Sequence, residues 1–193
     1  MIELDLAFDP APAAVADATD GKLVQERLRN PEHWITDLSD WLQTMRQVAP
    51  PACPDSVGEA TMFSLGLQLT DDATIAELNG NWRQKPEPTD VLSFAALEEA
   101  PPFSGAPCLE LGDIIVSVPT ARRQAAEHGH ALLWELRWLV SHGFLHLLGW
   151  DHPDEAQLAA MLQRQEQLLN NGGMVLGEGK RGVDGSQRST AAS

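Results

Sequence analysis

Residues 142–152, HGFLHLLGWDH, restrict the fold more than any other stretch, because three histidines close a leucine-rich segment that reads as a helix. His142 and His146 are four residues apart, so on a helix of about 3.6 residues per turn both imidazoles share one face. The helix is expected from about Ala131 to Leu148. Leu132, Leu136, Leu139, Val140, Leu147 and Leu148 give it an apolar side, while Glu135, Trp138, His142 and His146 follow another line at steps of three or four. Gly149 can take the left-handed backbone that ends a helix and turns the chain, which brings His152 back toward the two helical imidazoles. Zinc takes imidazole nitrogens at about 2.0–2.1 Å, and three protein ligands leave the fourth tetrahedral position for water, the pattern of a catalytic site. A central helix with a metal site at its end is the expectation.

Four strand-like segments surround that helix. MIELDLAF at the N-terminus alternates and reads as an edge or hairpin strand ending at Asp9-Pro10; residues 61–70, 91–95 and 111–119 read as the others. Helical spacing predicts a helix from Glu32 to Gln47, a short one after the N-cap candidate Asp71, one from Pro119 to a glycine stop at Gly129, and one opened by Pro153, Asp154 and Glu155. With the histidine helix that makes about five. Residues 11–22 read as a loop or frayed helix, and residues beyond Gly177 as a disordered tail with no apolar periodicity. Strands interspersed with helices point to an α+β or mixed α/β domain with a small sheet. A chain of 193 residues fits one domain.

Charge narrows the partners. Thirteen Lys and Arg against 28 Asp and Glu give a net charge of −15, so the molecule as a whole repels polyanions and anionic membranes and can bind nucleic acid only through a local basic patch. Cys53 and Cys108 form no CxxC pattern, and no basic flank precedes an apolar run at the N-terminus. No apolar run approaches the ~18 residues of a membrane span. A reduced, cytoplasmic setting is the expectation.

The histidine spacing matches the metzincin pattern H-E-x-x-H-x-x-G-x-x-H at all three histidines and the glycine. The position of the general-base glutamate, however, holds Gly143, which disfavours peptidase chemistry. Charge on an electrophile must then be stabilised elsewhere. Arg83, with Lys85, lies in NGNWRQKPEPTDVLSFA (79–95), and a guanidinium matches phosphate oxygens bidentately. The alternative for Arg83 is an ion pair with Glu87 or Asp90 on a solvated loop. Arg122 and Arg123 are weaker candidates for a phosphate track. His128 and His130, on either side of a turn glycine, and His33 read as solvated.

Taken together, HGFLHLLGWDH, NWRQKPEPTDVLSF and LGDIIVS resemble the YbeY family of endoribonucleases and ribosomal RNA maturation factors, whose signature is H-G-x-L-H-L-x-G-Y-D-H. The resemblance runs from about Met1 to Leu176 and implies one metal-dependent hydrolase domain over residues 1–176, with 177–193 as tail. It implies a small α+β fold with a mixed four-stranded sheet, one zinc ion on His142, His146 and His152, and Arg83 as the residue implicated in activity. It further implies a single-strand-specific endoribonuclease acting in 16S rRNA 3′-end maturation and ribosome quality control. Its partners would be an rRNA precursor and the small ribosomal subunit or its proteins, with neither DNA nor membrane. Two positions depart from the pattern: Trp150 stands where a tyrosine is usual, and Ala95 where a proline is.

Two mechanisms fit these residues equally. Zinc can lower the pKa of a bound water while Arg83 holds the scissile phosphate, or it can act on the phosphate while the ribose 2′-OH attacks. Asp151 is a candidate acceptor for an imidazole N–H, or else a turn aspartate bonded to backbone. Lys85, Arg122 and Arg123 are the candidate RNA contacts. A different class of function remains open beside the nuclease: a ribosome-assembly or binding factor in which the metal is structural, which the acidic charge favours.

Overall fold

In the computed structural model, residues 2–12, 14, 15, 17, 20–48, 53–97 and 108–171 are described. Four strands form one mixed sheet in the order β1-β2-β4-β3, with β1 Glu3–Pro10, β2 Met62–Thr70, β3 Val91–Ala95 and β4 Leu109–Ser117. β1 pairs parallel with β2, β2 pairs parallel with β4, and β3 runs antiparallel along the outer side of β4. β1 is thus the expected edge strand, but no hairpin. Alternation fixes which residues of a strand are half exposed and says nothing of the direction of its neighbour. The long connection from β1 to β2 carries helices instead, as a parallel pairing requires.

Seven helices occur among the described residues: α1 Lys22–Arg29, α2 Pro31–Gln47, α3 Asp55–Glu59, α4 Asp72–Arg83, α5 Val118–His128, α6 Leu132–Leu147 and α7 Glu155–Asn171. Two of them, α1 and the single turn α3, exceed the sequence expectation. Three caps foreseen from the sequence are in place. Asp71 accepts from Thr74 N–H at 2.8 Å, Gly129 ends α5 at φ 70°, and Gly149 follows α6 at φ 84°. The tail from residue 177 lies outside the described residues.

The main core lies on one face of the sheet. Phe63, Leu65, Leu67 and Leu69 of β2 alternate inward and meet Trp34, Leu38, Trp41 and Leu42 of α2 and Leu136, Val140 and Phe144 of α6. On the other face α4 closes a small second cluster, Ile75 with Leu92 and Ile115. α6 packs against β3 and β4 and is flanked by α5 and α7. Every residue from Glu135 to Leu145 is buried, so the polar line as far as His142 is as deep as the apolar side, and only His146 at its end is half-buried. A helix buried all round must have each polar group matched. Glu135 pairs with His130, Arg137 pairs with Asp37 at 2.9 Å, and Ser141 Oγ donates to the Trp138 carbonyl at 2.8 Å.

Asp37 also pairs with Arg27, so one buried carboxylate holds guanidiniums from α1 and α6 together. The Arg27 guanidinium lies 4.6 Å from the centre of the Trp34 ring. Burial first, and the neighbouring Arg137 second, bring the Arg27 pKa down to about 10.

Gly143 sets how closely α6 approaches the sheet. A Cβ there would stand 2.9 Å from Ile114 Cγ2 and 3.0 Å from Ser93 Oγ. Ile114 is β-branched and fully buried, so it has little freedom to give way. Gly143→Glu is expected to lose at least about 3 kcal/mol in urea denaturation, from overpacking and an unpaired buried carboxylate. Gly143→Ala is expected to lose less, because the gain in helix propensity of about 1 kcal/mol offsets the crowding.

Candidate metal centre

His142 and His146 project from consecutive turns of α6, and the left-handed Gly149 turns the chain so that His152 joins them. Ligand atoms of the three lie within 4.8 Å of one another, and the three ring centres are 4.7, 5.5 and 5.2 Å apart. Nε2 of His142 and Nε2 of His146 are 3.1 Å apart. Two nitrogens bonded tetrahedrally to one zinc at about 2.0–2.1 Å are separated by about 3.3 Å, so the observed spacing fits a shared ion. His152 Nε2 is buried and has no hydrogen-bond partner, which a metal would supply.

The outer partners of the helical imidazoles favour the same reading. His146 is engaged by the main-chain carbonyl of Trp150, which accepts from its ring and favours its protonated form. The usual tyrosine is therefore dispensable for that contact, since any residue at 150 carries a carbonyl. For His142 the corresponding neighbour is Gln165 of α7, whose amide raises the ring's proton affinity against the larger effect of burial. Gln165 is fully buried, and its Nε2 donates to the Trp138 carbonyl at 2.7 Å. That bond leaves Oε1 free to accept, and Gln165 Oε1 and His142 Nδ1 are both buried with no hydrogen-bond partner of their own. Metal-bound histidines generally give their second N–H to such an acceptor, which turns the other nitrogen's lone pair to the ion. Sequence reasoning missed Gln165, although it falls between Met161 and Leu168 on the buried stripe of α7, where a polar residue signals a specific partner.

Asp151 lines the same cavity but acts as a turn aspartate, its Oδ1 accepting from the backbone N–H of His152 at 2.8 Å. The cavity has a volume of about 250 Å³ and is lined by Arg83, Ser93, Ala95 and Trp150 together with His142 and His146. Arg83, the last residue of α4, is exposed; no ion pair joins it to Glu87 or Asp90 or to any other described residue. Asp90 is committed elsewhere, accepting from Val91 N–H at 2.8 Å and from Gln124 at 3.0 Å. Lys85 is exposed on the loop after α4, away from the cavity lining. Arg122 is held by Asp20 and Asp17 and Arg123 by Asp72, so both candidate RNA contacts on α5 already have carboxylate partners.

The histidines beside Gly129 are not simply solvated. His130 pairs with buried Glu135 and lies 4.5 Å from Trp134, ring centre to ring centre, while His128 is exposed. These three groups are also close enough to hold an ion, but His130 and Glu135 already satisfy each other's charge.

Burial, followed by the neighbouring His146 and His152, lowers the His142 pKa from 6.5 to about 4. Burial likewise lowers that of His146, with His152 and Arg83 adding to the effect. Both imidazoles are therefore neutral near neutral pH, the form that ligates a metal. Below pH 6.5 the unfolded chain takes up a proton at His142 that the native chain refuses down to about pH 4, so this contribution to stability is lost as pH falls through that window. Metal-free wild type is expected to lose about 2 kcal/mol more than His142→Gln between about pH 7.5 and about pH 5, read from urea midpoints. Gln165→Met is expected to weaken metal binding about tenfold or more in competition with a chromogenic chelator, whereas Gln165→Glu, which keeps an acceptor but loses the donor to the Trp138 carbonyl, weakens it less.

A family model described as Endoribonuclease YbeY matches residues 28–173, a span that includes Arg83 and all three histidines. Proteins named Endoribonuclease YbeY are similar over most of the chain. The one from Synechococcus sp. (strain CC9311) is 58% identical over 175 residues, covering 91% of this chain and 99% of that protein. The one from Synechococcus sp. (strain RCC307) is 60% identical over 170 residues, covering 87% and 92%. That from Prochlorococcus marinus (strain MIT 9313) is 52% identical over 174 residues, covering 90% and 93%.

Proposed function

The chain belongs to the Endoribonuclease YbeY family, and on that premise we propose that it is a zinc-dependent, single-strand-specific endoribonuclease acting in 16S rRNA 3′-end maturation and ribosome quality control. Its substrate is a ribosomal RNA precursor, met in the cytoplasm on or near the small ribosomal subunit. One observation supports this reading above the others: Arg83, a guanidinium with no carboxylate partner among the described residues, lines the same cavity as His142 and His146. Asp151, the carboxylate in the lining, accepts from the His152 backbone N–H, and the position where a peptidase keeps its general base is Gly143. The proposed phosphate ligand is therefore Arg83, whose planar fork presents parallel donors to two phosphate oxygens and opposes the charge that builds during phosphoryl transfer.

His142, His146 and His152 are the proposed zinc ligands. When bound, zinc supplies Lewis-acid polarisation and acidifies water, so no side-chain base is required. Gln165 and the Trp150 carbonyl hold the two helical rings in the tautomer that leaves Nε2 free to ligate. The attacking oxygen is either water or the ribose 2′-OH, and the product ends distinguish them, since only the second leaves a cyclic phosphate.

Cleavage of a single-stranded rRNA-like oligonucleotide by zinc-loaded protein tests the reading. His146→Ala is expected to lose bound metal and cleavage together. Arg83→Ala is expected to keep the metal and lose about 100-fold or more in kcat/KM. Unchanged cleavage in both folded variants rules these roles out. If RNA affinity is absent in isolation and appears only with ribosomal particles, without turnover, the chain is an assembly factor with a structural metal, a reading its net charge of −15 favours.

A further inference from the structure

Trp82 is the most exposed large apolar side chain among the described residues, at 69% of its full accessibility. It stands in the last turn of α4, immediately before Arg83. Its ring meets Phe94 of β3 at 5.4 Å between centres with the planes 58° apart, so Phe94 supports it while most of the indole stays in water. Phe94 lies between Ser93 and Ala95, both of which line the metal cavity from β3. β3 is the edge strand on this side of the sheet, and Arg83 reaches past it into the cavity. Trp82 is therefore on the other side of that edge, one residue and about 3.8 Å of backbone from Arg83.

The turn that carries this pair is held from several directions. Gln84 adopts the left-handed conformation at φ 59°, and its N–H closes α4 onto the carbonyls of Asn79 and Gly80. Buried Asn79 donates from Nδ2 to the Glu87 carbonyl at 3.0 Å. Pro86 lies so close to Gly80 that a Cβ there would stand 3.2 Å from the proline ring. An exposed tryptophan on a fixed turn costs solvation and adds little to the core, which calls for another occupant of its free face.

We propose that Trp82 is a stacking platform for an unpaired nucleobase of single-stranded RNA, next in the strand to the phosphate that Arg83 holds. The inference rests on the nuclease reading for its substrate class and adds a subsite to it. An aromatic face accepts any base, so the subsite contributes affinity and requires an unpaired strand without imposing a sequence. It also offers binding that does not depend on positive charge, which suits a chain of net charge −15.

The test is an anisotropy titration of the full, metal-loaded chain with a fluorescein-labelled 2′-O-methyl oligoribonucleotide and with a series in which each base in turn is replaced by an abasic residue. Stacking on one base is expected to make Trp82→Ala and Trp82→Leu bind about tenfold more weakly than wild type, with Trp82→Phe within about threefold. One abasic position is expected to weaken wild type by the same factor and to leave Trp82→Ala unaffected. Thermal unfolding of the variants checks that the loss is not one of folding. Equal binding by wild type and Trp82→Leu overturns the proposal, as does an abasic effect of equal size in both, or the absence of measurable wild-type binding at low salt. Cleavage assayed alongside separates the two readings: RNA cut normally by a Trp82→Ala variant that also binds normally sinks the platform and leaves the nuclease intact.

Discussion

The structure turns on how closely α6 lies against the sheet. At Gly143 the helix backbone comes so near Ile114 and Ser93 that even a methyl group would collide, and from Glu135 to Leu145 no residue escapes burial. Burial of that extent forces every polar group on the helix to have an appointed partner, and it lowers the proton affinity of His142 until the ring stays neutral. The same contact explains a difference in chemistry. A glutamate after the first histidine, the base of peptidases with this spacing, would have to occupy the volume of Ile114. Packing and catalytic repertoire are decided at one residue.

Charge is distributed in a matching way. Arg27 and Arg137 share Asp37, Arg122 is taken by Asp20, and Arg123 by Asp72. The first pairing fastens α1, α2 and α6 to one another, and the other two tie α5 to the segment before α1 and to α4, so arginines that looked available to a polyanion serve the fold. Arg83 differs because α4 ends beside the edge strand, where no described carboxylate reaches it and the metal cavity does.

Much of this was legible in the sequence. The helix expected over 131–148 is observed over 132–147, all four strands are present, and the three histidines converge as their spacing required. What escaped has a common physical origin. α1 buries Arg27 beside Leu28, and a charged residue in the buried stripe of so short a helix interrupts the apolar periodicity that would reveal it. Gln165 and the pair His130 and Glu135 are polar groups satisfied by residues of another element or the next turn, and a pattern along one chain segment does not show its partners. The parallel neighbour of β1 escaped because it depends on where the chain returns, and about fifty residues of helix and loop intervene.

His152 stands on the turn before α7, while Gln165 reaches back from α7 to His142. The imidazole cluster is thus built from both sides of the junction between the last two helices. Whatever favours convergence of the three nitrogens also favours seating of α7 on α6, and a chain whose last helix is loosened loses its grip on His142. Occupancy of the centre and docking of the C-terminal helix are linked equilibria, so ligation and the cooperativity of the fold report on each other.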